Sequence, residues 1–174
     1  MKYTCTITLT LLAIAGCATT YIPPTGKSLV SLRVEAPQFV TSTGARVVYY
    51  PGADCSNPEI LGYVSSIKTI ESDPQVEAIP DTALNSSSYF EKRIPAGESF
   101  QTSFKGYVGN RECLVSTSFI PRKKASYVMM FSHDNEQCYL RIREFDTGSN
   151  DATGVTVSYS EPEKTCQSGF AGPV

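Results

Sequence analysis

The chain has 174 residues, with 15 basic against 17 acidic residues, a formal net charge of −2 and 41% hydrophobic residues. This composition excludes a disordered polyelectrolyte and a nucleic-acid-binding protein built on a basic face, so we expect no nucleic-acid partner. It predicts a single globular domain once any targeting segment has been removed.

The first seventeen residues have the layout of an export signal. They begin with the positive charge of Lys2, continue through an apolar or weakly polar run at 4–14, and end with small residues before Cys17. The run is too short and too rich in Thr to span a hydrocarbon core of about 30 Å as a permanent helix. We therefore expect residues 1–16 to be removed as a signal peptide.

The residues Ile14-Ala15-Gly16-Cys17 resemble the lipobox of bacterial lipoproteins, in which an aliphatic residue and two small residues precede a Cys. The resemblance implies that Cys17 carries a thioether-linked diacylglycerol and holds the protein on a membrane through its acyl chains. An ordinary secretory signal with a chance Cys is the alternative. Because Ala rather than Asp follows the Cys, the resemblance also implies the outer membrane, with the domain facing the periplasm or the cell surface.

Residues 18–27 contain two adjacent prolines and a glycine, which predicts a short extended tether with a reach of at most about 33 Å. The predicted organisation is therefore a lipoprotein signal peptide at 1–16, a lipidated Cys and tether at 17–27, and a single domain at 28–174.

Cysteine counting predicts two disulfides. Cys5 leaves with the signal and Cys17 is assigned to the lipid, so four of the six cysteines remain. An even number in an exported chain indicates a disulfide framework. The competing interpretation, a zinc site, lacks a CxxC pair and has His133 as its only imidazole. The four remaining thiols are Cys55, Cys113, Cys138 and Cys166.

The mature chain shows strand patterns throughout and no convincing helical repeat. The predicted strands, each rich in β-branched or aromatic residues, are 30–34, 46–50, 63–68, 89–93, 100–104, 113–119, 127–131, 138–145 and 155–159. The acidic, proline-containing stretch at 70–88 predicts a long loop. Seven to nine short strands predict an all-β fold, an antiparallel β-sandwich of the immunoglobulin or fibronectin type.

The segment 119–127 resembles the corner between strands E and F of immunoglobulin-like domains. In that corner a Pro interrupts the ladder and a Tyr near the start of the next strand bonds its hydroxyl back to the corner. Tyr127 occupies that position, and an exposed strand tyrosine is the alternative.

The same assignment predicts the disulfide pairing. Cys113 and Cys138 then begin strands E and G, point inward and lie at the same end of opposite sheets. A Cys113–Cys138 bridge would join the two sheets, which leaves Cys55 with Cys166.

The search for catalytic motifs finds no GxSxG, HExxH, GxxxxGK[ST] or GxGxxG. His133 is predicted in a turn between two strands, where a solvated role is the more frequent one. The acidic pairs Asp73/Glu77 and Glu161/Glu163 fall in the predicted loop and tail, which favours solvated surface over a preorganised acid/base site. We expect no catalytic residues, no metal and no cofactor, and hence no enzyme.

The cluster Arg122, Lys123 and Lys124 in the predicted corner is the candidate binding site, because it could contact anionic headgroups or glycan phosphates. Three exposed charges in a turn are more often only solvated. The sequence thus predicts a non-catalytic cell-envelope lipoprotein that binds an envelope protein or glycan.

Beside an enzyme, which is the last class considered, two non-catalytic alternatives remain open. One is a periplasmic inhibitor or scavenger, in the manner of lipoproteins that block lysozyme, with 118–126 as its protruding loop. The other is an assembly factor similar in size, anchor and architecture to the outer-membrane lipoprotein of type VI secretion, a likeness at the level of fold alone.

Overall fold

The computed structural model describes residues 18–39, 45–52, 54–64, 70–77, 79, 89–134, 137–147, 154–160, 166 and 170. The predicted signal peptide at 1–16, the predicted lipidation site Cys17 and the acidic pair Glu161/Glu163 lie outside these residues.

The described residues form eleven strands. They are β1 (Thr19–Thr20), β2 (Leu29–Glu35), β3 (Ala45–Tyr50), β4 (Glu59–Val64), β5 (Ile70–Ser72), β6 (Tyr89–Pro95), β7 (Phe100–Val108), β8 (Arg111–Phe119), β9 (Ala125–Asp134), β10 (Gln137–Asp146) and β11 (Val155–Thr156). Eight of them have six or more residues, and β1, β5 and β11 have two or three. The all-β prediction is confirmed.

The strands pack as a sandwich of two sheets. The five-stranded sheet has the order β1-β4-β3-β7-β8, and the six-stranded sheet has the order β11-β10-β9-β2-β6-β5. Three of the neighbouring pairs are parallel: β1 with β4, β2 with β9, and β5 with β6. Both sheets are therefore mixed.

The predicted antiparallel, immunoglobulin- or fibronectin-like arrangement is not confirmed. An immunoglobulin domain places its third, sixth and seventh strands together in one sheet. Here the long strands divide into β3, β4, β7 and β8 in one sheet and β2, β6, β9 and β10 in the other. The alternation of residues shows which face of a strand is buried, but it does not specify which strand becomes its neighbour.

Two short strands lie in segments without a strand pattern. Ile70–Ser72 forms β5 within the predicted long loop and pairs in parallel with β6. Thr19–Thr20 forms β1 within the predicted tether and pairs with Glu59 and Ile60 of β4. Strands this short carry too few residues for a periodicity to be visible, so they depend on the sheet edge that receives them.

The core between the sheets is dominated by aromatic side chains. Phe131 stacks on Phe39 with a centroid separation of 4.3 Å and lies 3.8 Å from Phe104 of the opposite sheet. Phe119 and Tyr127, also from opposite sheets, are 5.3 Å apart. Such aromatic contacts contribute about 0.5–1.5 kcal/mol each beyond the burial of their area.

Both predicted disulfides are present. Cys113 of β8 is bonded to Cys138 of β10 with a Cα separation of 5.9 Å, so this bridge joins the two sheets as predicted. Cys55, in the connection after β3, is bonded to Cys166 of the C-terminal segment with a Cα separation of 5.4 Å.

The outer faces of the sheets are also partly covered. On the five-stranded sheet, Val48 and Tyr50 pack against Cys166, whose carbonyl accepts a hydrogen bond from the Tyr50 hydroxyl. On the six-stranded sheet, Ile79 packs against Val128. Because both faces are covered, all six residues of β3 are buried, which explains why that strand shows no polar alternation.

The connections between the strands lie at the two ends of the sandwich. The connections β3–β4, β6–β7 and β8–β9 lie at one end, which we call the corner end, and the β8–β9 connection, residues 120–124, is called the corner. The opposite end contains the β7–β8 turn at Gly109 and Asn110 and the hairpin from Asp134 to Gln137. We call it the hairpin end.

Gly62 of β4 faces the opposite sheet, and a Cβ atom there would lie 2.8 Å from the ring of the fully buried Phe90. We expect Gly62→Ala to lower the free energy of unfolding by about 1–3 kcal/mol, because the packed ring has no room to move. Urea denaturation measures the loss. The control Val155→Ala trims an exposed side chain and should change stability by less than about 0.5 kcal/mol. Equal stability of the two variants would contradict this packing.

Candidate functional site

The corner is organised around the hydroxyl of Tyr127. This oxygen accepts a hydrogen bond from the Arg122 backbone N–H at 2.7 Å and donates to Glu144 Oε2 at 2.6 Å. The Tyr127 side chain is fully buried, so the predicted bond from the tyrosine hydroxyl back to the corner is confirmed. Burial, followed by the bond to Glu144, raises the pKa of Tyr127 well above its usual value, and the hydroxyl therefore stays protonated.

Arg122, the first residue of the predicted basic cluster, is paired with carboxylates of β10. Its Nε and Nη2 donate to Glu144 Oε1 at 2.9 and 2.6 Å, and Nη2 also donates to Asp146 Oδ1 at 2.5 Å. These hydrogen bonds raise the pKa of Arg122 above its usual value. Although its side chain is 59% exposed, Arg122 fastens the corner to β10, so its charge is already neutralised.

Lys123 and Lys124 differ from Arg122. Both are exposed, and neither has a carboxylate partner among the described residues. Lys124 has φ of 60°, the left-handed conformation of a tight turn, and its carbonyl accepts the Thr147 N–H at 3.1 Å. On the other side of the corner, the Pro121 carbonyl accepts the Gly97 N–H at 2.7 Å. The backbone beside the two lysines is thus held from both sides.

The two lysines line a cleft of about 370 Å³ at the corner end, together with Arg93, Glu77 and Ser31. The cleft lies where β2 and β9 begin. Because these strands are parallel, with Ser31 opposite Ser126, their preceding segments leave the sheet at the same end. The start of β2, the end of the corner and the segment after β5 all contribute to the lining of the cleft.

The charges of the cleft nearly balance. Arg93 Nε donates to Asp73 Oδ2 at 2.9 Å. Burial opposes the charged form of Asp73, but hydrogen bonds from Arg93 and from the Gln75 N–H outweigh it, so the pKa of Asp73 lies below its usual value. With Lys123, Lys124 and Arg93 against Asp73 and Glu77, an excess of one positive charge remains. This arrangement suits a singly charged anionic group.

The sequence gives no indication that Arg93, Glu77 and Ser31 line a common cleft. The three come from β6, from the segment after β5 and from β2, and no local pattern joins them. Glu77 is placed by its own backbone N–H, which donates to Ser31 Oγ at 2.9 Å. The two residues of the acidic pair thus have different contacts: Asp73 accepts a hydrogen bond from Arg93, and Glu77 donates one from its backbone N–H to Ser31.

A second charged group lies on the outer face of the six-stranded sheet. Arg33 Nη2 is 2.9 Å from Glu91 Oε1, and the Ser72 hydroxyl donates to Glu91 Oε2 at 2.6 Å. The Arg33 guanidinium also lies 4.5 Å from the ring centroid of Tyr89. These contacts join β2, β5 and β6, and they accompany the burial of the polar residues of β2: Ser31 and Glu35 are buried and Arg33 is half-buried.

His133 lies near the end of β9, paired with Cys138, and not in a turn as the sequence analysis predicted. Its ring packs edge-on against Phe39 with a centroid distance of 5.5 Å. Across the part of the chain that the structure describes, no group of three His, Cys, Asp or Glu side chains is placed to hold a metal ion.

Within the described ranges, no helix has the length and hydropathy that crossing a membrane requires. Comparison with protein-family models found no match, and comparison with curated proteins found no significant one.

The two hydrogen bonds of the Tyr127 hydroxyl are expected to stabilise the folded protein. Tyr127→Phe removes the acceptor of the Arg122 N–H and a donor to Glu144, and we expect it to lower the free energy of unfolding by about 1 kcal/mol. Thermal or urea unfolding measures it. Tyr63→Phe makes the same chemical change on a side chain that is 39% exposed and is expected to have an effect below about 0.5 kcal/mol. A wild-type midpoint for Tyr127→Phe would show that the corner bond contributes nothing.

Proposed function

We propose that this protein is a non-catalytic lipoprotein of the bacterial cell envelope, whose disulfide-bonded β-sandwich binds another envelope component. The observation that carries the proposal is the lipobox-like sequence ending at Cys17, followed after one residue by a strand of the sandwich. By the resemblance of the signal, the protein is held in the outer membrane by its lipid and faces the periplasm or the cell surface.

Two disulfides in a chain of this size support export to an oxidising compartment. Neither bridge is needed to supply a core, because aromatic residues of both sheets already fill one. The bridges instead fasten the sheets and the C-terminal segment, which suits a domain that must keep its shape outside the cytoplasm.

A binding role is favoured over catalysis because the reactive side chains already have structural partners. Four cysteines form two disulfides. The Tyr127 hydroxyl donates a hydrogen bond to Glu144, and the Arg122 guanidinium forms an ion pair with the same carboxylate. A nucleophilic mechanism needs a base beside its nucleophile. The imidazole of His133 packs against Phe39 near the hairpin end, far along the strand from the cleft at the corner end.

The inhibitor alternative requires a protruding loop at 118–126. Residues 118–119 belong to β8 and 125–126 to β9, and the corner between them is hydrogen-bonded to Gly97 and Thr147. A segment held in this way offers little length to insert into an enzyme's active site. The binding and assembly role therefore remains the proposal.

Cys17→Ala tests the anchor. We expect the variant to lose lipid and to leave the membrane fraction, because only a thiol at this position can take the acylglycerol. Incorporation of labelled palmitate and flotation of membranes measure both properties. Cys5→Ala, a matched change inside the signal, should keep both. Label on the Cys17→Ala protein would refute the lipobox assignment.

Purification from detergent-solubilised envelope tests the binding role. The tagged, lipidated protein is expected to retain one partner in stoichiometric amount after cross-linking, and tagging that partner should recover this chain in return. The tag alone is the control. Repeated recovery of the protein without any partner would contradict an assembly role and reopen the enzyme alternative.

A further inference from the structure

We infer that the corner end of the sandwich lies against the membrane, with Lys123 and Lys124 among anionic lipid headgroups and Ile120 at the edge of the apolar layer. This inference rests on the proposed lipid at Cys17. It adds to the proposed function an orientation and a ligand for the cleft lysines.

The direction of β1 determines where the chain leaves the sandwich. β1 is parallel to β4, with Thr19 opposite Glu59, the first residue of β4. Since β4 begins at the corner end, the chain before Thr19 leaves the domain at that end. Cys17 is two residues from Thr19, so their Cα atoms are at most about 7.6 Å apart.

The segment after β1 is fixed to the sandwich by the contacts of its first residue. Tyr21, directly after β1, is 4% exposed, and its hydroxyl donates to the Arg93 carbonyl at 2.8 Å. Its ring also packs edge-on against Tyr49 with a centroid distance of 5.4 Å. An anchor fixed this closely to the fold holds one end of the domain at the bilayer, whereas a free tether would allow any orientation.

β1 and the corner lie at opposite edges of the five-stranded sheet. Four strand spacings separate β1 from β8 in the five-stranded sheet, which amounts to about 19 Å. The corner follows β8 directly and lies at the same end. A lipid on Cys17 therefore brings residues 120–124 to the membrane surface.

The corner combines an exposed apolar side chain with two exposed lysines. Ile120 is 65% exposed and presents a large aliphatic side chain to solvent at the corner. Lys123 and Lys124 lie close behind it in the chain, exposed and without carboxylate partners among the residues described. An apolar side chain beside unpaired lysines is the combination that binds the boundary of an anionic bilayer. The cleft beside them has room and charge for one headgroup phosphate.

Single-tryptophan variants test this orientation, because the chain contains no Trp. Ile120→Trp and, as the matched control at the hairpin end, Asn110→Trp are made in the full lipidated protein and reconstituted into phosphatidylglycerol vesicles that contain brominated lipid. We expect blue-shifted emission and severalfold stronger quenching for Ile120→Trp than for Asn110→Trp. Equal quenching of the two, or stronger quenching at 110, would overturn the inference.

The lysines are tested on the Ile120→Trp background. Lys123→Glu/Lys124→Glu should reduce quenching in phosphatidylglycerol vesicles and leave it unchanged in phosphatidylcholine vesicles. Lys123→Gln/Lys124→Gln should give an intermediate result. The same loss of quenching in both lipids would show that headgroup charge has no part in the contact.

Two further measurements separate the possible failures. Protein that does not float with the vesicles shows that the lipid anchor is wrong, whereas protein that floats with equal quenching shows that only the orientation is wrong. In the wild-type chain, vesicles should protect Lys123 and Lys124 from amine acylation more than Lys105, which lies nearer the hairpin end. Equal protection by inorganic phosphate without vesicles would assign the cleft to a soluble phosphate and overturn the membrane contact.

Discussion

The parallel pairing of β2 with β9 determines where the other parts of this protein lie. Five residue pairs, from Ser31 with Ser126 to Glu35 with Met130, fix the two strands side by side in the same direction. Strands that start together bring their preceding segments to one end, so the chain before β2 and the corner before β9 meet there. The antiparallel return of β10 then brings Glu144 and Asp146 to that end, where they reach Arg122.

Much of the fold could be predicted from side-chain alternation. Val30, Leu32 and Val34 are all buried in the core as their spacing indicates, and the inward parity of Cys113 and Cys138 led to the correct bridge. The alternation could not predict the mixed sheets, because it records the face of a residue and carries no information about the neighbouring strand. That neighbour depends on contacts between residues far apart in sequence.

The candidate site could be predicted only in part, for a related reason. Arg122, Lys123 and Lys124 stand together in the sequence, yet the structure gives them different roles because the partners of Arg122 are 22 and 24 residues away. The balance of charge in the cleft likewise depends on Arg93 meeting Asp73 across 20 residues. Tyr127 was an exception, since its hydroxyl bonds to a residue only five positions upstream, within reach of a local pattern.

The two disulfides are nested, and this arrangement bears on how the protein matures. The Cys55–Cys166 bridge spans 111 residues and encloses the 25-residue span of Cys113–Cys138. In a chain that crosses a membrane amino-terminus first, Cys55 emerges before Cys113 and Cys138, and its own partner emerges last. Oxidation in order of emergence would join Cys55 to Cys113, a bond that only thiol–disulfide exchange can correct. On this route the Cys55–Cys166 bridge could form only after nearly the whole chain had been exported, and only once thiol–disulfide exchange had released Cys55 from Cys113.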